Sequence, residues 1–373
     1  MSAGIIGPMP HDHAERLARA RRQAELAGLG AIVVAPGPDL MYLTGYGPPP
    51  LERLTALVVR PGTDPILLVP TLERPRAAAS PAEDLVGFVT WSDGESMHAS
   101  LGKLLPERGT IGVIDQMWAW HLMELDRALP AATFVSAART LSRLRIRKDA
   151  GELELLGRAG RAADETFARV AKEDFAGRAE EQIAARLREL LVEEGCDAAS
   201  FWIVASGPNG ASPHHEPSIR ILQAGDPAVL DFGGTVGGYG SDLSRTVSVG
   251  EPSAEVREVH DVVRRAQEAA FQAVRPGVRA QDIDHAARHV IEEAGFGAAF
   301  IHRTGHGIGL EAHEDPYIVR GNEEVLEPGM CFSIEPGIYL EGRFGVRIED
   351  IVAVTEDSAV RLNEAPRELT LVA

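Results

Sequence analysis

The stretch RTGHGIGLEAHEDP, residues 303–316, decides the fold, because it places two histidines seven residues apart among glycines. Its spacing Gly305-x-Gly307-x-Gly309 is also typical of dinucleotide-binding loops. Such a loop needs a turn directly after a strand, near the start of a βαβ unit, with an acid about twenty residues later. Here the glycines lie late in the chain and flank His306, and no G-x-x-x-x-G-K-[ST] motif occurs. A metal loop or a buried turn is therefore favoured over a phosphate-binding loop.

Acidic residues in a second segment favour the metal loop. In AVLDFGGTVGGYGSDLSRT (228–246), Asp231 follows a strand-like apolar run and Asp242 lies beyond a glycine-rich hairpin. If the hairpin folds back, the two carboxylates come to lie side by side. A lone aspartate at such a position is more often a turn or cap residue, whereas for the pair among glycines a functional site and such a structural role are equally supported.

Two further segments place charges in strand-like runs. FSIEPGIYL (332–340) holds Glu335 in an apolar run, where an unpaired carboxylate is costly to bury. GVRIEDIVAVT (345–355) places Arg347 and Glu349 on one face of an alternating strand. Surface exposure is the competing interpretation for each residue alone, whereas a shared cation explains them together.

The segments together supply four carboxylates and one imidazole, from Asp231, Asp242, His306, Glu335 and Glu349. Such donors suit a first-row divalent ion, for example Mn²⁺, Co²⁺ or Zn²⁺. Four carboxylates carry more negative charge than one dication neutralises, so two ions fit better. Two metals about 3.5–4 Å apart can bridge and activate a hydroxide at neutral pH.

The composition restricts the class of protein. The chain has 373 residues, enough for two domains, and its formal net charge of −18 argues against a general nucleic-acid binder. Its two cysteines, Cys196 and Cys331, have no CxxC partner, which predicts a reducing, cytoplasmic compartment. The N-terminus MSAGIIGPMPHDHAERLARARRQ has no apolar run of signal-peptide length, and no segment approaches eighteen apolar residues, so no membrane association is expected.

Two domains are predicted, residues 1–146 and 147–373. The first has a helical pattern at 14–28 and short β-branched runs at 31–36, 55–61, 65–70 and 110–115, which predict a mixed α/β domain. The charged stretch RLRIRKDAGELELL (143–156) predicts the start of a long helix at the boundary.

The second domain contains an internal repeat offset by 100 residues, which predicts two pseudo-symmetric halves with a site between them. Both copies have a helix that stops at glycine, followed by the predicted strands AASFWIVASG (198–207) and AAFIHRTG (298–305). The matching residue types are Gly177, Ile183, Arg188, Glu193, Gly195, Ala198 and Ala199 and the residues 100 positions later.

These motifs resemble the proline-specific metallopeptidases of pita-bread fold, the Xaa-Pro dipeptidases (prolidases) and Xaa-Pro aminopeptidases related to methionine aminopeptidase and creatinase. The resemblance implies an α+β fold, in which a smaller mixed α/β creatinase-type domain at the N-terminus is followed by a pita-bread catalytic domain. The motifs that carry it are GPDLMYLTGY (37–46), GPNGASPHHEPS (207–218), LDFGG (230–234), SDLSRT (241–246), HRTGHGIGLEAHE (302–314), EPGM (327–330), FSIEPGIY (332–339) and GVRIED (345–350).

The resemblance also implies a role for each site residue. Asp231, Asp242, His306, Glu335 and Glu349 are the implied metal ligands, with Asp242 and Glu349 bridging two ions. Mn²⁺ is favoured, with Co²⁺, Zn²⁺ or Fe²⁺ as alternatives. A metal-bridging hydroxide is expected to attack the carbonyl that precedes proline. The remaining roles are oxyanion stabilisation by His214, proton transfer by His313 and Glu335, and contacts to substrate or to carboxylates by His302 and Arg347.

The expected function is a prolidase-like exopeptidase that forms a homodimer and acts on small peptides with proline at the second position. Three alternatives stay open: a Xaa-Pro aminopeptidase for longer peptides, a metal-dependent amidohydrolase of a non-peptide substrate, and a binding module without activity. A metal-independent hydrolase of creatinase type is disfavoured, because the full carboxylate set is present.

Overall fold

The computed structural model describes residues 12–373. Its contacts divide the chain into two units between Arg145 and Ile146. Residues 1–11, on which the expectation about the N-terminus partly rests, lie outside the described residues. Among the described residues, no helix is both long enough and apolar enough to cross a membrane.

The N-terminal unit contains a six-stranded mixed sheet of order β4-β3-β2-β1-β5-β6. All four predicted strands are present, but the edge strands β4 and β6 had not been predicted. Trp91 is the one buried residue of these two edge strands, so their sequences lack the apolar run that marks a buried strand. The strands are β1 (Ala31–Val34), β2 (Ala56–Val59), β3 (Ile66–Pro70), β4 (Gly87–Trp91), β5 (Arg108–Val113) and β6 (Ala131–Ser136), and the helices are α1 (His13–Leu26), α2 (Pro38–Thr44), α3 (Arg74–Ala78), α4 (Met97–Gly102), α5 (Ala119–Ala128) and α6 (Ala138–Arg145).

The C-terminal unit combines long helices with two five-stranded sheets and a hairpin. Its helices are α7 (Ala150–Val170), α8 (Glu180–Glu193), α9 (Ala254–Ala273) and α10 (Ala280–Glu293). The first sheet has the order β18-β10-β8-β7, with β9 paired to β8, and the second has the order β12-β11-β13-β16-β17. The strands are β7 (Ala198–Ser206), β8 (Pro227–Val236), β9 (Tyr239–Gly240), β10 (Leu243–Val249), β11 (Gly305–Gly307), β12 (Glu314–Ile318), β13 (Cys331–Ile334), β14 (Gly337–Leu340), β15 (Phe344–Arg347), β16 (Asp350–Val354), β17 (Ala359–Arg361) and β18 (Thr370–Val372).

The helix predicted to open at residue 143 begins seven residues later. Helix α6 ends at Arg145, and α7 starts at Ala150 behind a capping box. The Asp149 carboxylate accepts from the Glu152 amide at 2.9 Å, and the Glu152 carboxylate accepts from the Asp149 amide at 2.9 Å. This reciprocal cap satisfies amides that a continuous helix would bond internally, and it therefore fixes the start of α7.

The internal repeat is visible in the fold, but only one of its two predicted strands is formed. Helices α8 and α10 are offset by 100 residues, as predicted, and β7 follows α8. Residues 298–304 form no strand, and only Gly305 of the predicted segment lies in one, β11; the Arg288 guanidinium occupies two of the carbonyl groups before it. Arg288 donates to the carbonyls of Phe300 and His302 at 3.1 and 3.0 Å, so neither takes part in a strand ladder.

A buried histidine on α9 makes stability depend on pH. His260 is 4% exposed, and its burial together with the positive charge of Arg264 lowers its pKa to about 4. The native state therefore keeps His260 neutral while the unfolded chain binds a proton below about pH 6.5, so stability is lost as the pH falls through this window. We expect the free energy of unfolding to drop by about 2 kcal/mol more in the wild type than in His260→Gln between pH 7 and 4.5. Urea unfolding at both pH values measures this, and equal drops would contradict it.

Candidate metal centre

A cavity of about 820 Å³ in the C-terminal unit brings the predicted site residues together. The cavity is also lined by Arg303 and by apolar side chains, including Phe201 and Ile203. All nine predicted residues line it, namely His214, Asp231, Asp242, His302, His306, His313, Glu335, Arg347 and Glu349. They come from both sheets, the hairpin and the connecting loops, so the cavity depends on the folding of the whole unit.

The glycine-rich hairpin folds back as its sequence predicts. Asp231 lies within β8, and Asp242 directly precedes β10, which pairs antiparallel with β8. In this register Ser244 is opposite Asp231. Two residues that are eleven apart in sequence therefore line one cavity.

The glycines of the opening stretch serve close backbone packing. Strand β11 lies between β12 and β13 in the second sheet. A Cβ atom on Gly305 would lie 1.9 Å from the Ser333 carbonyl oxygen, and one on Gly307 would lie 2.2 Å from that of Asp315. Side chains are excluded at both positions, and His306 between them is directed into the cavity.

The His306 ring is held in the tautomer that a metal ligand requires. Its Nδ1 donates to the Gly307 carbonyl at 3.1 Å, which leaves the lone pair of Nε2 facing the acids. Nε2 lies 3.3 Å from Glu335 Oε1 and 3.7 Å from Asp242 Oδ2. Burial and the electrostatic repulsion from His313 together lower the pKa of His306 to about 3, so the ring is neutral.

The acids around His306 are buried close together, which disfavours their ionised forms. Burial raises the pKa of Asp242, and the charges of Asp231 and Glu335 add to this. Burial also raises the pKa of Glu349 and brings that of Glu335 to about 7. Neighbouring carboxylates oppose one another's ionisation, and a cation among them would remove that cost.

The donor atoms fit such a cation. Asp242, His306 and Glu349 each offer a ligand atom, and these atoms lie within 4.8 Å of one another. Three buried carboxylate oxygens, Asp231 Oδ1, Asp242 Oδ1 and Glu349 Oε1, have no hydrogen-bond partner among the described residues. Buried polar atoms are normally satisfied, so unpaired oxygens beside a neutral imidazole indicate a metal site.

Arg347 connects two of the acids. It is 3% exposed, and its Nη2 donates to Asp231 Oδ2 at 2.7 Å. Its Nε donates to Ser244 Oγ at 2.8 Å, and that hydroxyl donates to Glu349 Oε2 at 2.9 Å. Arg347 is therefore bonded to Asp231 directly and to Glu349 through Ser244.

His302 has both ring nitrogens engaged by protein groups. Its Nδ1 donates to the Arg303 carbonyl at 2.7 Å, and its Nε2 accepts from the Tyr339 hydroxyl at 2.9 Å. That hydroxyl also accepts from Arg347 Nη1 at 2.8 Å. Burial lowers the pKa of His302 to about 4. His302 thus lines the cavity and supports the Tyr339–Arg347 contact.

His214 and His313 are the exposed histidines of the cavity wall. His214 lies in a loop that follows β7, and His313 lies directly before β12. The His313 and His306 rings meet edge-on, with centroids 4.0 Å apart. Burial, followed by the charge of Arg303, lowers the pKa of His313.

Sequence reasoning missed the residues that orient the acids, although a period-two signal was present. Side chains two apart on a strand share a face. Ser244 lies two after Asp242, and Ser333 lies two before Glu335. Ser333 Oγ accepts from the His306 amide at 3.0 Å and donates to Glu335 Oε1 at 3.2 Å.

Comparison with known proteins relates this geometry to a family. Residues 154–356 match the model of metallopeptidase family M24, and residues 16–147 match that of the creatinase/prolidase N-terminal domain. The chain is 47% identical over 363 residues to the probable dipeptidase PepE of Mycobacterium tuberculosis, covering 96% of each chain. It is 38% identical over 339 residues to a Xaa-Pro dipeptidase of Lactobacillus helveticus, covering 89% of this chain and 92% of that one. A prolidase structure from Thermococcus sibiricus matches with a TM-score of 0.92 at 38% identity, covering 98% of this chain and 100% of that one.

Proposed function

The chain belongs to metallopeptidase family M24, and from this membership we propose that it is a metal-dependent exopeptidase that hydrolyses Xaa-Pro dipeptides. The same matches confirm the predicted fold, a creatinase-type N-terminal domain followed in the chain by a pita-bread domain. The observation that carries the proposal is the single cavity in which the acid cluster and His306 lie beside two exposed histidines.

In this proposal, Asp231, Asp242, His306, Glu335 and Glu349 would hold two divalent cations. Mn²⁺ is favoured, and Co²⁺, Zn²⁺ and Fe²⁺ suit the same oxygen and imidazole donors. Bound cations of this kind activate water as a nucleophile at neutral pH and polarise a carbonyl group. The unpaired carboxylate oxygens and the raised pKa values of Asp242 and Glu349 support this ligand set.

The protein's own groups position the substrate and move protons. His214, exposed on the cavity wall, donates to the carbonyl oxygen that precedes proline and stabilises the charge that develops there. Glu335, whose Oε1 lies 3.3 Å from His306 Nε2 at the cavity wall, takes a proton from the attacking water. His313, beside the His306 ring, receives that proton and passes it on to the departing proline nitrogen. Arg347, bonded to Asp231, holds that carboxylate in place.

Replacing His214 with alanine is expected to lower kcat for Ala-Pro by about a hundredfold, because one donor to the developing oxyanion is lost. Bound metal, measured by mass spectrometry, is expected to stay at the wild-type level. His289→Ala, at an exposed position of α10 outside the cavity, is the control. An unchanged kcat in His214→Ala would remove the proposed role.

A second candidate, a Xaa-Pro aminopeptidase for longer peptides, is supported by an adjoining cavity. This cavity of about 440 Å³ shares Ile203 and His214 with the main one, and it offers room beyond a dipeptide. Alanine release from Ala-Pro, Ala-Pro-Ala and Ala-Leu by the Mn²⁺-loaded protein distinguishes the candidates. Release from Ala-Pro alone supports the dipeptidase, and faster release from the tripeptide supports the aminopeptidase. No release from any of them would refute both and favour a non-peptide amide.

We further propose that the protein is a cytoplasmic homodimer. The two cysteines are buried and unpaired, which suits a reducing compartment. Trp118, Trp120 and Met123 expose 44%, 48% and 56% of their surface on the N-terminal unit, and clustered apolar side chains of this kind suit a subunit interface. Sedimentation equilibrium would measure the oligomeric state.

A further inference from the structure

The loop that carries His214 forms a wall of both cavities. We call residues 207–220 the histidine loop; it starts with a short 3₁₀ turn, Gly207–Ala211, directly after β7. Pro213 and His214 line the main cavity, and His214, Glu216 and Pro217 line the adjoining one. Most of the loop has no regular secondary structure, so other contacts must fix the position of His214.

One buried carboxylate ties the two ends of this loop together. Glu180, the first residue of α8, is 0% exposed. Its Oε1 accepts from the amide and the hydroxyl of Ser206, both at 2.7 Å. Its Oε2 accepts from the amide and the hydroxyl of Ser218, at 3.2 and 2.7 Å. Ser206 directly precedes the loop and Ser218 lies near its end, so a single side chain closes it.

Two contacts within the loop reinforce this closure. The Asn209 side-chain amide donates to both Glu180 oxygens, at 3.1 and 3.0 Å. Burial alone would raise the pKa of Glu180, but the hydrogen bonds from Ser218, Ser206 and Asn209 outweigh it and lower the pKa, so the carboxylate is charged.

The internal repeat shows that packing of the helix start does not require this carboxylate. Ala280 is the equivalent residue, first in α10 and 100 positions later. Ala280 is also 0% exposed, so this position is buried in both halves. The glutamate is therefore specific to the half that carries His214.

We propose that Glu180 is a positioning residue that holds the histidine loop so that His214 reaches the substrate carbonyl. This inference rests on the proposed function, because it assigns Glu180 a part in the same reaction. Glu180 does not line either cavity and acts through the loop alone.

Hydrogen exchange tests the anchoring without using activity. In Glu180→Gln, the amide group of glutamine donates rather than accepts, so one end of the loop loses its acceptor. At least one of the Ser206 and Ser218 amides is then expected to exchange about tenfold faster or more. Glu189→Gln, at an exposed position on the same helix, is expected to leave both rates unchanged. Unchanged exchange in Glu180→Gln would overturn the anchoring.

A double-mutant cycle on kcat for Ala-Pro tests the link to His214. As a single substitution, Glu180→Gln is expected to lower kcat about tenfold. In a His214→Ala background it is expected to lower kcat less than about twofold, because His214, the residue that Glu180 positions, is already absent. An equal loss in both backgrounds, or no loss in the wild type, would overturn the positioning role even if exchange becomes faster. A wild-type protein that releases no alanine would refute the proposed function and, with it, the role of Glu180; the exchange data would still report on the anchoring.

Discussion

Replacing Asp242 with asparagine is expected to abolish hydrolysis of Ala-Pro, lowering kcat/KM by on the order of a thousandfold. The variant loses a carboxylate whose donor atom lies with those of His306 and Glu349, so it is also expected to bind less metal. In the metal-free protein the free energy of unfolding should rise instead. The buried carboxylates oppose one another's ionisation, and the substitution removes one of these mutually opposed acids.

Metal analysis, steady-state kinetics and urea unfolding in a chelator measure these three effects. Asp357→Asn, at an exposed turn, is the matched control and should change none of them. A fall in the stability of metal-free Asp242→Asn would show that the cluster is not under electrostatic strain. Full metal binding would show that Asp242 is not a ligand.

Replacing Arg347 with methionine is expected to lower the free energy of unfolding of the metal-free protein by about 3–5 kcal/mol. Arg347 is 3% exposed and is hydrogen-bonded to Asp231, Ser244 and Tyr339. Its removal leaves the Asp231 carboxylate without the guanidinium that pairs with it, and the Ser244 hydroxyl loses the hydrogen bond that it accepts from Arg347. Lysine at this position retains the charge but not the planar fork, so Arg347→Lys should have an intermediate effect.

Urea unfolding measures this loss, and Arg343→Met is the control. Arg343 is exposed and pairs with Glu255 at the surface, where an ion pair contributes less than about 1 kcal/mol. Similar losses in the Arg347 and Arg343 variants would show that the buried arginine does not hold the acids. Because Arg347 also orients Asp231, activity should fall with stability.

The residues of the site were predictable because their chemistry is local in sequence. Glu335 and Glu349 lie beside strands whose other residues are apolar, and a charge in such a run requires a partner. His306 is marked by glycines whose Cβ atoms would collide with neighbouring backbone. Each motif therefore signals its own constraint, even before the segments are known to meet.

The contacts that orient these residues depend on the fold and were not predictable. Arg347 and Asp231 are 116 residues apart, and Glu180 and Ser218 are 38 apart. The strand predicted at 298–305 failed for a related reason, since Arg288 on a neighbouring helix takes up its carbonyls. Propensity describes a segment by itself, whereas these outcomes depend on side chains that the tertiary fold brings in.

The measurement that tests the central claim most directly is alanine release from Ala-Pro as a function of Mn²⁺ bound per chain. Starting from chelator-treated protein, the proposed site predicts no release without metal and full release when two ions are bound. Hydrolysis that is complete without metal, or absent at every occupancy, would contradict a two-metal Xaa-Pro peptidase.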